Sequence, residues 1–481
     1  MAELEEMAAL RAKGVLQEIE DTVMPSGAQA IRTMWVYAYK TDAQGFIIRI
    51  KARLVALGNW QRPGIDFVET FAPVARMSSF RLLLATSVEL GLTVYGGDIN
   101  TAYLNAKLEI EQYVRQIEGF PCESQGHVYV VKKALYGLRQ SGREWNSEIN
   151  GWLLERDFQR CSTEPCLYYK LDGERIVFVL VYVDDILCAT NDEAFKVHFF
   201  HDLDAAYGLK DQGEVHEYLG VEVTQTGEAI CISQRKYARE ILGKYVHDDT
   251  KHCGNPMETN AGLAPATKND NIDSILSFLL SRFVAKPSSK HVGAIKRVLR
   301  YLIGTCDYGI KYTKRGRDES DRVITLSGFC DSDWGSDPET RKSTSGSVFT
   351  LAGGAVAWMS RRQPIIALST AEAEYVAACE ASMEAMAESN ILTEILPSYT
   401  IKPVIGIDSS AALTMATNPT YSRRTRHIEL RWHYVREQVQ RGSIALVKVR
   451  GEENPADAFT KPLDKTRLES LGALMGITTV A

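Results

Sequence analysis

Two adjacent aspartates, Asp184 and Asp185, follow the most apolar stretch of the chain, residues 176–183. This run of β-branched, aromatic and other apolar residues predicts a strand that is buried on both faces. Carboxylates beside such a strand are unfavourable unless a positive group compensates their charge. One interpretation is a hairpin turn, which aspartate favours. The other is a pair of ligands for a hard divalent cation.

A third aspartate favours the metal interpretation. Asp98 follows a short apolar strand pattern and precedes a helix-like run in VYGGDINTAYLNA. Carboxylates at strand ends can hold two Mg²⁺ ions about 3.5 to 4 Å apart, where one activates an attacking hydroxyl and the other holds a triphosphate. The sequence therefore predicts a two-metal site for phosphoryl transfer that includes Asp98, Asp184 and Asp185.

The composition is that of a folded protein with local rather than general basicity. The chain has 481 residues, of which 45% are hydrophobic, enough for two or three domains. Its formal net charge of -6 means that any nucleic-acid surface must be local. Nine scattered cysteines without a C-x-x-C motif argue against structural zinc and indicate a reducing compartment. Because no apolar run approaches a membrane span, we expect an intracellular protein, cytoplasmic or nuclear, without membrane contact.

Three regions must position these carboxylates. Residues 1–250 alternate helical patterns with short apolar strands and predict an α+β domain. Residues 251–322 begin with a stretch containing Gly, Pro and Asn, typical of a connector, and continue into a helix that Gly304 would end. Residues 323–481 predict a second α/β domain, with a hairpin in STSGSVFTLAGGAVAWMS and a long helix from Thr370.

The order of five segments in the first half of the chain resembles the reverse transcriptase of copia-type LTR retrotransposons. The segments are KARLVALGNWQRPGIDFVETFAPV, DINTAYLNA, ALYGLRQSGREWN, YVDDILCAT and YLGVEV. The resemblance implies a right-hand polymerase domain with fingers, palm and the start of a thumb, followed by a connector and an RNase H-like α/β domain. It also implies an RNA template, a DNA primer and dNTPs as partners, and Mg²⁺ as the cofactor, two ions in each active site, with Mn²⁺ as an alternative.

The resemblance assigns roles around the aspartates. In this family the motif aspartates bind the catalytic metal ions, which implies that role for Asp98, Asp184 and Asp185. Tyr103 matches the aromatic residue that stacks under the incoming sugar and excludes a 2′-hydroxyl. The alternative for Tyr103 is a core aromatic residue on a helix face.

Three further residues match the nucleotide-binding positions of the family. Lys51 and Arg53 would bind the triphosphate, because a lysine point charge and an arginine fork suit phosphate oxygens. Their alternative is a solvated charged strand. Gln140 would line the nucleotide pocket. Gly142 stands where the family usually has proline, which loosens the backbone that enters the next helix.

The second domain repeats the carboxylate pattern. Four segments resemble the RNase H domain that follows this type of polymerase: GFCDSDWGSD, LSTAEAEYVA, GIDSSAAL and NPADAFTK. The metal-ligand roles that the resemblance implies fall on Asp331, Glu372, Asp408 and Asp457. We prefer Asp331 to Asp333 because it directly follows an apolar strand.

Three of these four assignments have a structural alternative. Residues 372 and 374 lie about 200° apart on a helix, so only one can face the metals. We predict Glu372, although the STAE sequence is also a capping box in which Glu372 bonds the cap backbone. Asp408 could instead belong to a helix N-cap, and Asp457 to a surface turn.

A basic segment is the predicted nucleic-acid contact. Residues 421–450 hold eight Lys or Arg against two Glu, with interleaved aromatic residues. Such side chains neutralise phosphates and stack on bases, although an ordinary exposed helix is the alternative. The residues assigned to the RNA/DNA hybrid are Arg423, Arg424, Arg426, Arg431 and Arg436. We assign no metal to His427 and His433, which do not share a helix face.

The connector departs from the family. Between residues 256 and 281 the family usually has Y-R-x-x-x-G and T-R-P-D motifs, which this sequence lacks. We expect an internal deletion there, outside both metal sites. The expected function is RNA-directed DNA synthesis with RNase H cleavage of RNA in hybrids. The alternatives are a decayed or domesticated protein that binds nucleic acid without catalysis, and a nuclease with RNase H activity alone.

Overall fold

The computed structural model describes residues 1–41, 46–246, 250–258, 289–314, 322–337, 339–418 and 433–480. Its helices are α1 (Ala2–Ala12), α2 (Met77–Leu90), α3 (Ser141–Leu154), α4 (Glu193–Tyr207), α5 (Arg235–Tyr245), α6 (Ser289–Thr305), α7 (Thr370–Ile395), α8 (Ser410–Thr417), α9 (Tyr434–Gln440) and α10 (Lys465–Leu474). None of these described helices is long and apolar enough to cross a bilayer.

The strands alternate with these helices along the chain, which confirms the predicted α+β class. They are β1 (Leu16–Glu20), β2 (Ala30–Ile31), β3 (Thr33–Thr41), β4 (Ile47–Ala56), β5 (Thr93–Ile99), β6 (Lys107–Val114), β7 (His127–Lys133), β8 (Gln159–Arg160), β9 (Leu167–Asp172), β10 (Arg175–Tyr182), β11 (Asp185–Thr190), β12 (Leu209–Glu214), β13 (Glu217–Tyr218), β14 (Val221–Gln225), β15 (Ala229–Ser233), β16 (Tyr308–Thr313), β17 (Val323–Ser332), β18 (Thr344–Leu351), β19 (Gly354–Arg362), β20 (Thr400–Ile407), β21 (Ala445–Lys448) and β22 (Ile477–Thr479).

The chain divides into two compact units. The first comprises Met1–Ala75 and Tyr95–Gly213, and the second comprises Arg76–Val94 and Glu214–Ala481. This division differs from the boundaries at 250 and 322 that the sequence suggests, because α2 packs with the second unit and β13, β14 and β15 share a sheet with β16 and β22. Helix α2 contacts β15, β16 and β19, and the ring of Phe80 stacks on that of Tyr218 with centroids 4.6 Å apart.

The first unit is built around a six-stranded sheet in the order β12-β5-β11-β10-β9-β8. The apolar sequence of β10 places it inside this sheet, between β9 and β11, and residues 177–181 are each at most 4% exposed. The prediction of a strand buried on both faces is therefore confirmed. A second sheet has the order β1-β7-β6-β2, and β3 pairs with β4 as a separate ribbon against which α1 packs.

The second unit contains two five-stranded sheets. One has the order β19-β18-β17-β20-β21, in which β17 is antiparallel to β18 and parallel to β20. Helix α7 packs on β17, β18 and β20 and begins at Thr370, as the sequence predicts. The predicted hairpin is confirmed as β18 and β19, joined through Ala352 and Gly353 in left-handed backbone conformations. The other sheet has the order β13-β14-β15-β16-β22, and α6 ends at Thr305, one residue after Gly304.

Candidate active sites

The first carboxylate site lies at the turn between β10 and β11. Tyr182 pairs with Asp185, so Val183 and Asp184 form the turn between the strands. Val183 has a φ of 56°, a conformation that β-branched residues rarely adopt. Its carbonyl oxygen accepts a hydrogen bond of 2.6 Å from Nε1 of Trp145. The hairpin interpretation of the aspartates is thus correct, and it does not exclude the metal interpretation, because strained turns often lie at functional sites.

Strand β5 brings Asp98 to this turn. It lies beside β11 in the sheet, and the amide of Ile99 donates to the carbonyl oxygen of Asp184 at 2.8 Å. Burial and the negative charges of Asp184 and Asp98 raise the pKa of Asp185 to about 6. The three predicted carboxylates therefore lie in one electrostatic environment. A hard divalent cation bound beside them would compensate their mutual repulsion.

Replacing Asp185 by asparagine is expected to stabilise the metal-free protein at neutral pH. A folded-state pKa of about 6, above the ordinary 3.8, gives a stabilising contribution that is present at low pH and is lost as the pH rises through about 6. In a dry interior the shift would be worth about 3 kcal/mol, which solvent access reduces to about 1–2 kcal/mol.

Chemical denaturation in EDTA at about pH 7.5 and pH 4.5 would measure this difference. The Asp185→Asn variant should exceed the unaltered protein in stability at the higher pH and approach it at the lower one. Asp202→Asn, at an exposed position of α4, is the control. An equal gain at both pH values would show that the carboxylate charge is not the cause.

The predicted nucleotide-binding side chains lie around a residue that the sequence analysis did not single out. Burial is the main cause that raises the pKa of the Tyr103 phenol, and the negative charge of Asp184 raises it further. The ring centroids of Tyr103 and Tyr136 are 5.4 Å apart, and the guanidinium carbon of Arg53 is 5.1 Å from the Tyr136 centroid. Lys51 lies two residues before Arg53 on β4 and so shares its face. The sequence signal for Tyr136 was its place in ALYGLRQ.

The side chain of Gln140 is more buried than expected for a residue that lines a nucleotide pocket. It is 3% exposed, and its Oε1 accepts a hydrogen bond of 2.9 Å from Nε2 of Gln61. Its own Nε2 donates to the carbonyl oxygen of Asp66, which also accepts from Gln112. These contacts fix the loop before α3, whose first turn accommodates Gly142. The pocket role of Gln140 stays a prediction.

The second carboxylate site lies where β17, α7 and β20 meet. Asp331, Glu374 and Asp408 each offer one carboxylate oxygen, and these atoms lie within 4.8 Å of one another. The parallel pairing of Cys330 with Ile407 explains how the two aspartates meet, since each follows one member of this pair. Asp331 is 1% exposed, so its charge is removed from water.

The structure corrects the choice of helix glutamate. Glu372 belongs to the capping box: its amide donates to Oγ of Ser369 at 3.2 Å, and its Oε2 accepts from the amide of Leu368 at 2.7 Å. Glu374 lies beside Asp331, and its Oε2 is buried without a hydrogen-bond partner in the part of the chain that the structure describes. Glu374 therefore replaces Glu372 in the candidate site.

The charge balance of this cluster fits a divalent cation. Burial and the charges of Asp331 and Asp408 raise the pKa of Glu374. Burial likewise raises the pKa of Asp331, against the opposing effects of Thr460 and Lys461. Three clustered carboxyls with an unpaired buried oxygen have the oxygen donors that Mg²⁺ prefers.

Two neighbouring polar residues have structural roles. Asp333, to which Asp331 is preferred as a metal ligand, accepts hydrogen bonds from the Thr344 amide at 2.9 Å and the Ser336 hydroxyl at 2.6 Å. Ser409 caps α8 by accepting from the amide of Ala412 at 3.2 Å. Asp408 is thus not needed as the capping side chain.

Asp457 lies next to the cluster, but each of its oxygens pairs with a basic side chain. Nζ of Lys461 is 2.9 Å from Oδ1, and Nη2 of Arg467 is 2.9 Å from Oδ2. Lys461 also lies 3.2 Å from Oδ2 of Asp331. Asp457 is 7% exposed within the short helical turn Pro455–Phe459, so the surface-turn alternative does not hold. Lys461 links this fourth predicted ligand to the other three.

Replacing Lys461 by methionine is expected to destabilise the metal-free protein. The change leaves the buried charge of Asp331 without its nearest ammonium group. Breaking a fully buried pair costs about 3–5 kcal/mol, and the 43% exposure of the Lys461 side chain reduces the expected loss to about 1–2 kcal/mol.

Thermal unfolding in EDTA would measure this loss, with Lys465→Met as the control. Lys465 lies on α10 with its ammonium 3.8 Å from Glu469, and its side chain is 63% exposed. Equal melting temperatures for the two variants would contradict a special role of Lys461 in neutralising the carboxylates.

Four of the five arginines assigned to the hybrid lie outside the described residues, as does the part of the connector at residues 259–288. The arginines concerned are Arg423, Arg424, Arg426 and Arg431. Arg436 is described, and its Nε and Nη2 donate to the carbonyl oxygen of Met415 at 3.0 and 2.7 Å. Arg436 thus binds a carbonyl oxygen near the end of α8, and its contact with phosphate stays a prediction.

Known sequences that are similar to this chain show which family it belongs to. Residues 19–259 match the family described as reverse transcriptase (RNA-dependent DNA polymerase). Over 98% of its length the chain is 32% identical to the retrovirus-related Pol polyprotein from transposon TNT 1-94 of Nicotiana tabacum, of which it covers 37%. Over 95% it is 32% identical to the polyprotein from transposon RE1 of Arabidopsis thaliana, of which it covers 32%. The chain thus spans about a third of the plant polyproteins that it matches.

Solved structures give a weaker likeness. A foamy viral protease-reverse transcriptase in complex with double-stranded DNA aligns with a TM-score of 0.47 and 13% identity, over 93% of this chain and 69% of that one.

The family match and the identity to transposon polyproteins along nearly the whole chain show that the protein belongs to the reverse transcriptase family of copia-type retrotransposon Pol polyproteins.

Proposed function

We propose that the protein is an RNA-directed DNA polymerase that also cleaves the RNA strand of RNA/DNA hybrids. The observation that carries the proposal is the hydrogen bond from the Ile99 amide to the Asp184 carbonyl oxygen, which brings the strand end with Asp98 next to Asp184 and Asp185 in a chain of the reverse transcriptase family. In the proposed reaction, a primer 3′-hydroxyl attacks the α-phosphate of a dNTP in line, and pyrophosphate leaves.

The chain's own residues supply position and charge in this reaction. The β10–β11 turn holds Asp184 and Asp185 beside Asp98. Tyr103, whose pKa the charge of Asp184 helps to raise, would contact the sugar of a nucleotide bound there. Arg53 and Lys51 offer cationic donors for the triphosphate. Bound at the two carboxylate clusters, Mg²⁺ would activate the attacking oxygen and neutralise charge on the phosphate.

The second unit supports hydrolysis of the RNA strand of a hybrid. Asp331, Glu374 and Asp408 would hold the cation there, because their oxygens converge and one of them is buried without a hydrogen-bond partner among the described residues. Asp457 would join them through its contact with Lys461. The nucleic-acid partners in this proposal are an RNA template, a DNA primer and the hybrid that they form.

A binding protein without catalysis is the second candidate. The observation that favours it is the absence of the connector motifs from the sequence. Against it stand the two acidic clusters, because a protein that only binds a polyanion gains nothing from carboxylates gathered at the expense of desolvation and mutual repulsion.

The experiment is primer extension on an RNA template with purified protein, dNTPs and Mg²⁺, run beside cleavage of a hybrid whose RNA strand is labelled. We expect both extension and cleavage, and the loss of both in EDTA. Cleavage without extension would replace the proposal by a nuclease alone. A folded protein that binds the hybrid but does neither would establish the binding candidate.

A further inference from the structure

Tyr136 contacts both side chains to which the proposed function gives a role in nucleotide selection. The guanidinium carbon of Arg53 lies 5.1 Å from the centroid of its ring. The ring of Tyr103 lies 5.4 Å from it, with 52° between the two planes. Burial is the main cause that raises the pKa of Tyr136 to about 12, so its phenol is neutral at physiological pH. One neutral ring thus contacts both the proposed triphosphate-binding side chain and the proposed sugar-binding side chain.

Main-chain packing fixes the position of this ring. The carbonyl oxygen of Tyr136 accepts a hydrogen bond of 2.7 Å from the amide of Ala56, the last residue of β4. The next residue, Gly137, has a φ of 89°, and a Cβ there would lie 2.1 Å from the carbonyl oxygen of Ala56. Only glycine fits this approach. The ring is therefore held at a set distance from β4, the strand that carries Arg53.

The guanidinium of Arg53 depends on this ring for its environment. Its Nε is buried and has no hydrogen-bond partner among the described residues. A cation over an aromatic face is stabilised by the electrons of the ring. A contact of this kind with a ring uses none of the guanidinium N–H donors, so they can bind phosphate oxygens. Loss of the ring would leave Arg53 partly buried without this support.

We propose that Tyr136 is a positioning residue that holds Arg53 and Tyr103 in one arrangement, so that triphosphate binding and sugar discrimination depend on each other. The proposal rests on the proposed polymerase function. It has a specific consequence: removal of the Tyr136 ring weakens dNTP binding through Arg53 and relaxes the choice of dNTP over rNTP through Tyr103. A side chain that only filled space would lower stability without changing that choice.

The test compares Tyr136→Leu and Tyr136→Phe in single-nucleotide incorporation. We expect Leu to raise the KM for dNTP about tenfold and to lower the dNTP/rNTP ratio of kcat/KM about tenfold, with a small change in kcat. The Phe variant keeps the ring and should stay within about twofold on both measures. Tyr237→Leu, at an exposed position of α5, is the control. An unchanged dNTP/rNTP ratio in the Leu variant would overturn the proposal, as would a Phe variant that behaves like Leu.

Nucleotide binding to a complex with template and dideoxy-terminated primer separates this proposal from the proposed function, because no bond is formed. If the unaltered protein prefers dNTP in this assay yet never extends a primer, the polymerase proposal fails. The Tyr136 proposal then stands when the Leu variant loses the preference and falls when it keeps it. No preference for dNTP in the unaltered protein would overturn the Tyr136 proposal.

Discussion

Replacing Asp184 by asparagine is expected to abolish primer extension and to leave cleavage of RNA/DNA hybrids unchanged. The amide keeps the shape of the side chain but removes the charge that would bind a divalent cation, and we expect extension to fall by about 10³-fold or more. The fold should persist, because the turn is held through main-chain groups. The carbonyl of Asp184 accepts from Ile99, and that of Val183 accepts from Trp145.

Both activities would be measured on the same preparations, with Asp202→Asn as the surface control. Circular dichroism and hybrid binding would establish that the Asp184→Asn variant is folded. Retention of cleavage within about twofold shows that the loss is confined to the polymerase site. A parallel fall of cleavage would mean that the two reactions do not use separate carboxylate sites, and undiminished extension would remove Asp184 from the proposed mechanism.

The second large effect is expected at Glu374 and not at Glu372. Glu374→Gln should reduce hybrid cleavage by about 10³-fold, because it removes one of three converging carboxylates. Glu372→Gln should leave cleavage nearly unchanged, since a glutamine oxygen can still accept the Leu368 amide hydrogen in the capping box. The two substitutions are chemically identical and lie in the same turn of α7, so each controls for the other.

Stability measurements separate the two roles further. Glu372→Ala should lower the free energy of unfolding by about 1 kcal/mol through loss of the cap. Glu374→Gln should not destabilise the metal-free protein, because burial and the charges of Asp331 and Asp408 raise the pKa of Glu374 to about 9, and the amide avoids the cost of keeping this carboxyl protonated at neutral pH. Loss of cleavage in Glu372→Gln with retention in Glu374→Gln would restore the assignment made from the sequence.

Much of the local structure follows from the sequence, since it depends on local physics. The apolar run before Asp184 forms β10, the SGSVFTLAGGAVA pattern forms the β18–β19 hairpin, and α7 starts at its predicted cap. The division into two compact units could not be predicted from the sequence in the same way. Helix α2 lies between segments of the first unit in sequence, yet its contacts with β15, β16 and β19 join chain positions that no local pattern relates.

By itself, the sequence determined which residue types could do chemistry and which strand ends carry them: Asp98, Asp184 and Asp185 in the first unit, and Asp331 and Asp408 in the second. The alternation of side chains along a strand and the formation of a hairpin depend on a few neighbouring residues, so both can be predicted from the sequence. Helical periodicity showed that Glu372 and Glu374 face apart, but it did not show which of them faces the aspartates.

The tertiary structure alone decided that question, because packing of α7 against β17, β18 and β20 sets the rotation of the helix about its axis. It also decided that Lys461 and Arg467 pair with Asp457, and that Tyr136 contacts both Arg53 and Tyr103. These contacts join residues far apart in the chain. Their geometry depends on how whole elements pack, which no local sequence pattern encodes.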